Sequence, residues 1–263
     1  TQNGGISHWT AKGASHSRDG DANYQVVSEE TQPNIKYAAW GFRKAKRFFD
    51  VIKWDGDSVN GRSIEHNLAC IPGVIMVKCL TSTIHWQVYH RSLSTTGSNG
   101  QDATSWLFLD DIAPGETSNT PGFNNVNRNT FDIGSYVGVN ETGHKYIAYV
   151  FAHDDESDSI IKCGNYTGNA GSSNRVELGW EPQYVMIKGT TSNCNWWIYD
   201  TQRDGLRVYN HGTMNEDNGQ VGSLLYADTT DLQSANEDIT ADATGFNIPN
   251  VSDIPNESGG NYV

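Results

Sequence analysis

The sequence predicts an all-β chain, built as tandem β-sandwich modules of jelly-roll-like type and about 110 residues each. Three observations carry that reading. Short apolar runs with period-2 alternation are separated by clusters of Gly, Asn, Ser, Thr and Asp. No amphipathic segment of about ten residues or more shows the 3.6-residue period of a surface helix. Above all, the chain repeats itself.

Taken in chain order, the repeat defines the elements. Pro72–Tyr89 (PGVIMVKCLTSTIHWQVY) aligns without a gap on Pro182–Tyr199 (PQYVMIKGTTSNCNWWIY) at an offset of 110, with seven identities in eighteen positions. Lys36–Phe42 (KYAAWGF) matches Lys145–Phe151 (KYIAYVF), and Tyr262 is a third copy of the tyrosine in that block. The turns before it agree as Asn140-Glu141-Thr142-Gly143 and Asn256-Glu257-Ser258-Gly259, and Trp54-Asp55-Gly56 answers Tyr166-Thr167-Gly168. The expected organisation is therefore residues 1–43 as the C-terminal part of a preceding repeat, residues 44–153 as one sandwich, and residues 154–263 as a second. This last repeat is expected to be truncated at its last strand. Such a chain reads as a segment of a longer array.

Within each repeat the apolar, β-branched runs Val74–Leu80 and Tyr184–Lys188 are strands, each preceded by a proline that fits only at a strand start or edge. His85–His90 alternates, with Trp86 and Val88 on one face and His85, Gln87 and Tyr89 on the other. Asn195–Asp200 places Trp196 and Ile198 alike, so both Trp86 and Trp196 are expected to anchor a core. Further strands are expected at Trp106–Leu109, Tyr136–Val139, Lys145–Ala152, Leu206–Tyr209 and Ser223–Tyr226. The polar stretches Ser94–Ser105, Pro114–Asn129 and Gln202–Ala243 differ between the copies, as loops on a fixed frame would.

Charge excludes some functions. A net charge of −13 repels phosphate backbones, so no nucleic-acid partner is expected. No run approaches the roughly 20 apolar residues of a spanning helix, so no membrane insertion is expected. Cys70, Cys79, Cys163 and Cys194 lack the spacing of a metal or disulfide framework and read as buried free thiols made in a reducing compartment.

The pair Asp110-Asp111 lies on a strand end, where neighbours point to opposite faces rather than across a cleft. Asp154-Asp155-Glu156 reads as a solvated acidic linker between repeats. Asp19-x-Asp21-x-Asn23 with Glu30 copies the spacing of an EF-hand loop, but Tyr24 stands where glycine is needed and no helix flanks it. Asp55-Gly56-Asp57 is a weaker version of the same pattern. The histidines form no H-x-H or H-E-x-x-H arrangement. The glycosylation sequons at Asn140, Asn165, Asn250 and Asn256 read as turn residues. Lys78 and Lys188, repeated charges in apolar strands, are expected to guard an edge or to pack their stems on a tryptophan. Accordingly no catalytic, cofactor-binding or metal residue is assigned, and no cofactor is expected.

The run Ile64, His66, Leu68, Pro72, Ile75, Val77, Lys78, followed by Trp86, Val88, Tyr89 and His90 and closed by Tyr146–Ala152, resembles an uncharacterised tandem module of tailed-bacteriophage virion and tail-fibre-like proteins, found especially in marine phages. The second copy departs from that pattern: Leu178-Gly179-Trp180 replaces the histidine-containing turn and Asp200 replaces His90. The resemblance implies a structural, non-enzymatic component of a phage particle, in a tail fibre, spike or head-attached appendage. It would be made in the host cytoplasm, located in the virion, and contribute to host-surface attachment. Its expected partners are other virion proteins or copies of itself, with host-surface glycan touched by the loops. The alternatives are a cellular adhesin or extracellular filament subunit and, last, a surface-polysaccharide depolymerase.

Overall fold

The computed structural model describes residues 5–10, 13–17, 39–93, 105–114, 116–117, 122–170, 172–203, 206–208, 223–229, 234–235, 239–249 and 255–263. The chain divides into Thr1–Phe42 and Arg43–Val263. Among the described residues of the first unit, β1 (Gly5–Thr10) and β2 (Gly13–Ser17) pair as an antiparallel hairpin.

In the second unit the strands of residues 44–153 are β3 (Phe49–Asp55), β4 (Arg62–Glu65), β5 (Pro72–Cys79) and β6 (Gln87–His90), then β7 (Ser105–Phe108), β8 (Glu116–Thr117), β9 (Phe123–Asn124), β10 (Thr130–Ile133) and β11 (Lys145–Ala152). They form a six-stranded sheet ordered β3-β11-β5-β6-β7-β8 and a three-stranded sheet ordered β4-β10-β9. The alternation read from the sequence sets which side chains meet between them. Ile75, Val77 and Cys79 of β5 and Tyr146, Ala148, Val150 and Ala152 of β11 point inward, against Ile64, Phe131 and Ile133 of the smaller sheet. Burying an aliphatic side chain of this size is worth about 1.5–3 kcal/mol, so this face dominates the stability of the half.

Residues 154–263 carry β12 (Tyr166–Thr167), β13 (Asn174–Glu177), β14 (Tyr184–Lys188) and β15 (Trp196–Asp200), then the 3-10 turn Thr201–Arg203. These are followed by β16 (Leu206–Val208), β17 (Ser223–Tyr226), β18 (Ser234–Ala235), β19 (Ile239–Asp242), β20 (Gly245–Ile248) and β21 (Asn261–Tyr262). One sheet runs β14-β15-β17-β18 and another β13-β20-β19-β16, with β12-β21 as a separate pair. A bridge between Gly189 and Tyr262 ties β21 to the end of β14, and Lys188 and Val263 exchange both backbone hydrogen bonds at 2.9 Å. Among the described strand pairs only β16–β19 is parallel. The chain is all-β, with antiparallel sheets packed as in a sandwich.

Pairing partners recur in the two stretches. β11 lies between β3 and β5 as β21 lies between β12 and the end of β14; β6 and β7 follow β5 as β15 and β17 follow β14. The glycine of each shared turn shows why the sequence is fixed there. A Cβ on Gly56 would lie 2.0 Å from the Glu141 carbonyl oxygen, and one on Gly168 would lie 2.0 Å from that of Glu257.

Two expectations need correction. Tyr136–Val139 is a turn rather than a strand: the N–H groups of Val139 and Asn140 both donate to the Tyr136 carbonyl, at 3.1 and 2.9 Å. Gly138 permits it, because the Tyr136 ring lies where a Cβ at that position would be, 2.4 Å away. The apparent one-sided alternation of His85–His90 also misleads. Gln87, Val88, Tyr89 and His90 are all buried, as are all five residues of β15. Both strands are covered on both faces.

Candidate functional site

The second covered face is where the two halves meet. Its core consists of Val88, Leu93 and Leu107 from the first half and Trp196 from the second, flanked by Val74, Met76, Leu109, Met186, Ala227 and Val263. Trp196 is thus an anchor, as expected, but of the seam between halves; Trp197, on the opposite face of β15, serves the core of its own half. Trp86 is only half-buried and lies beside Tyr149, ring centroids 5.9 Å apart.

Polar contacts align the seam. The Trp196 indole N–H donates to the Phe108 carbonyl at 2.7 Å, and Cys194 N–H donates to the Ile112 carbonyl at 2.9 Å. The fully buried Lys188 ammonium donates to the Cys194 carbonyl at 2.5 Å and to the Asp111 carbonyl at 3.2 Å, with its nitrogen 5.9 Å from the Trp196 ring centroid. Burial lowers the pKa of Lys188, and nearby Cys194, Asp228 and Asp111 oppose that shift. In the first half Lys78 donates to the Ile84 carbonyl and stands 5.9 Å from the Trp86 ring centroid. Both lysines pack on a tryptophan, and both tie down the carbonyl two residues before it.

The other residues singled out in the sequence belong to the same framework. Asp110 accepts the Trp86 N–H at 3.0 Å, as Asp228 accepts the Trp196 N–H at 3.1 Å. Asp111 accepts the N–H of Ala113. These two neighbouring carboxylates are therefore each committed to backbone, not aimed at a shared cleft. His90 Nδ1 accepts the Ser92 N–H at 3.1 Å, and Asp200 accepts the Gln202 N–H at 3.0 Å, so the replaced histidine and its replacement do one job. Burial, then the Arg91 charge, pushes the His90 pKa down to about 3, which keeps the ring neutral. His66 is likewise lowered by burial and bonds the Asn127 carbonyl.

The sequons at Asn140 and Asn256 are buried polar hubs. Asn140 accepts the Asp57 N–H and donates to Asp57 Oδ1 and the Val59 carbonyl; Asn256 accepts the Asn169 N–H and donates to the Ser172 and Pro249 carbonyls. Asp57 is held by these bonds and by Arg62, 3.2 Å away, rather than arranged for calcium. The Asn165 side is exposed, and Asn250 lies outside the described residues, as do Asp19, Asp21, Asn23 and Glu30. Among the described residues, no group of three or more His, Cys, Asp or Glu could hold a metal ion.

The acidic linker is corrected in part. Asp155, Glu156 and Asp158 are exposed, but Asp154 is buried and pairs with Arg47 at 2.6 Å, while Asp158 takes the same guanidinium at 2.6 Å. Arg47 is held in the left-handed region (φ 59°), with its N–H on the Leu68 carbonyl at 2.6 Å. Sequence reasoning missed Arg47, and also the strand end Phe108–Ile112, whose contribution is through carbonyls that no side chain advertises. One signal was present: adjacent tryptophans on one strand, Trp196-Trp197, mean that both faces need covering.

The four cysteines are free thiols, but only Cys79 and Cys194 are buried; Cys70 and Cys163 are half-buried, against the expectation that all four would be buried. Cys79 of β5 is replaced by Gly189, and there the Cys194 sulfur fills the space, 2.5 Å from where a Cβ would lie. A sulfur thus serves each of these buried sites, from strand β5 in one half and from the loop before β15 in the other.

Searches among curated proteins and among solved structures gave no match. The family described as a domain of unknown function (DUF7483) matches residues 9–263, nearly the whole length, and the chain belongs to that family.

Proposed function

We propose that this chain is a non-enzymatic structural segment of a phage particle. On this reading residues 44–153 and 154–263 are two copies of one β-sandwich module, residues 1–43 are the end of another, and the loops are held out toward host-surface glycan. One observation carries it: the polar frame repeats pairwise, while the sequences of the loops between strands do not. Lys78 and Lys188, Asp110 and Asp228, Asn140 and Asn256, and His90 and Asp200 bond to equivalent backbone or side-chain groups. Among the described residues, Asp110, Asp111, His66 and His90 are used in that frame rather than aimed at a cleft, which favours a scaffold over a depolymerase. A rigid frame repeated along a chain suits adhesion, because weak loop contacts gain through effective concentration. Aromatic faces stack on sugar rings, and the Asn and Asp of the loops can bond their hydroxyls.

Mass spectrometry and immuno-electron microscopy of purified virions test this reading. The chain is expected in the particle, with antibody on an appendage. Antibody on the cell envelope of an uninfected producer would replace the reading with an adhesin, and release of reducing ends from host polysaccharide by the pure chain would replace it with an enzyme.

A further inference from the structure

The contact between halves is heterologous: a lysine–tryptophan clamp on one side, a strand end on the other. The clamp in use is Lys188 with Trp196, and it closes on Phe108 and Asp111 just after β7. Each half carries both parts. The first half has its own clamp in Lys78 and Trp86, and the second has its own strand end after β17.

The matching parts are presented in the same way. Leu109 N–H donates to the Trp86 carbonyl, and Ala227 N–H donates to the Trp196 carbonyl. Bonded and non-bonded pairs alternate in an antiparallel ladder, so the carbonyls of Phe108 and Tyr226 both point away from the strand on the clamp side, β6 and β15 respectively, and toward the side of β8 and β18. Phe108 uses that direction to receive Trp196. On the clamp side, the Trp86 indole N–H makes no hydrogen bond among the described residues, and Lys78 donates to Ile84 alone where Lys188 reaches a second carbonyl across the seam. The apolar surface beneath is continuous with the established seam. A cross-strand row runs Val51–Tyr149–Met76–Val88–Leu107; Val88 and Leu107 are fully buried under the second half, whereas Met76, Tyr149 and Val51 are half-exposed.

We infer that the chain associates head to tail with a second copy of itself, the Lys78–Trp86 clamp of one copy closing on the strand end Leu225–Asp228 of the other. The seam already in the molecule shows what such a clamp takes: backbone carbonyls flanked by aliphatic side chains. Repeating one heterologous contact gives a filament or a ring. This inference rests on the equivalence of the two halves proposed above, and not on where the protein works.

Sedimentation velocity of the whole chain and photo-crosslinking test it together. The chain is expected to associate as concentration rises to about 100 µM, and Lys78→Met or Trp86→Ala to weaken association roughly tenfold or more, with unchanged circular dichroism. Benzoylphenylalanine replacing Trp86 is expected to crosslink to residues 225–228 of another copy. The same group replacing Trp196 is expected to crosslink within its own chain to residues 107–112. A monomer throughout, or crosslinks from position 86 to any other surface, overturns the head-to-tail contact if position 196 behaves as expected. Failure at position 196 instead overturns the equivalence of the halves.

Discussion

Replacing Trp196 with alanine removes the side chain on which the seam turns. Trp196 is 4% exposed and packs on Val88 and Leu107, both fully buried. Truncating a buried tryptophan costs about 3–5 kcal/mol from lost burial and the cavity left behind. The indole hydrogen bond to Phe108 adds about 1 kcal/mol, and the Lys188 ammonium loses the ring beside it, another 0.5–1 kcal/mol or so. The perturbed seam relaxes and admits water, which offsets part of this, so the expected loss is about 4 kcal/mol. Trp86→Ala is the internal comparison: the same residue type, at the equivalent place in the repeat, but half-exposed and outside the seam, with an expected cost of about 1–2 kcal/mol. Trp196→Phe, which keeps most of the apolar area and loses the N–H donor, belongs between them. Urea unfolding followed by far-UV circular dichroism and by tryptophan fluorescence measures all three; the two probes are expected to separate for Trp196→Ala as the halves lose their coupling. Equal losses for Trp196→Ala and Trp86→Ala would refute the argument, because the seam would then contribute nothing beyond an exposed ring.

Other outcomes follow from single contacts. Gly56→Ala and Gly168→Ala each force a Cβ to 2.0 Å from a backbone oxygen and should cost about 2–4 kcal/mol, whereas Gly143→Ala, with open space but φ +90°, should cost about 1 kcal/mol by thermal unfolding. His90 is neutral when folded, with its pKa lowered to about 3, and it titrates near 6.5 when unfolded. The unfolded state therefore binds the proton first, and His90 destabilises the fold progressively as pH falls from 6.5 toward 3, by up to about 1.4 kcal/mol per pH unit. His90→Gln should flatten that part of the stability–pH curve, and an unchanged slope would contradict the burial argument. Thiol titration with a disulfide reagent should find Cys79, Cys163 and Cys194 slow to react in the native protein and all four cysteines reactive in urea. The first and third are buried, and burial pushes Cys163 up to about 12. Rapid native reaction of three thiols would show that those sites open.

The strand class and most strand positions were legible in the sequence, because period-2 patterning reports burial on one face directly. Val74–Leu80, Tyr184–Lys188 and Lys145–Ala152 are strands within one or two residues of their expected bounds. Lys78 and Lys188, which match in the repeated sequence, do pack on their tryptophans. What the pattern could not report is a strand buried on both faces. Gln87 and His90 are polar residues inside β6, and their burial follows from the seam, a contact between segments some 110 residues apart that leaves no local period. The turn at Tyr136–Val139 escaped for a related reason: alternating aromatic and β-branched residues read as strand, and only the ring folded beneath Gly138 makes a turn of them. The sequence by itself determined the all-β class and the inward residues of each half, since these depend on side-chain alternation along one strand. Only the tertiary structure decided the partners of Trp196, Lys188, Arg47 and Asp154, because those partners are backbone carbonyls and distant charges that become neighbours once the sheets have packed.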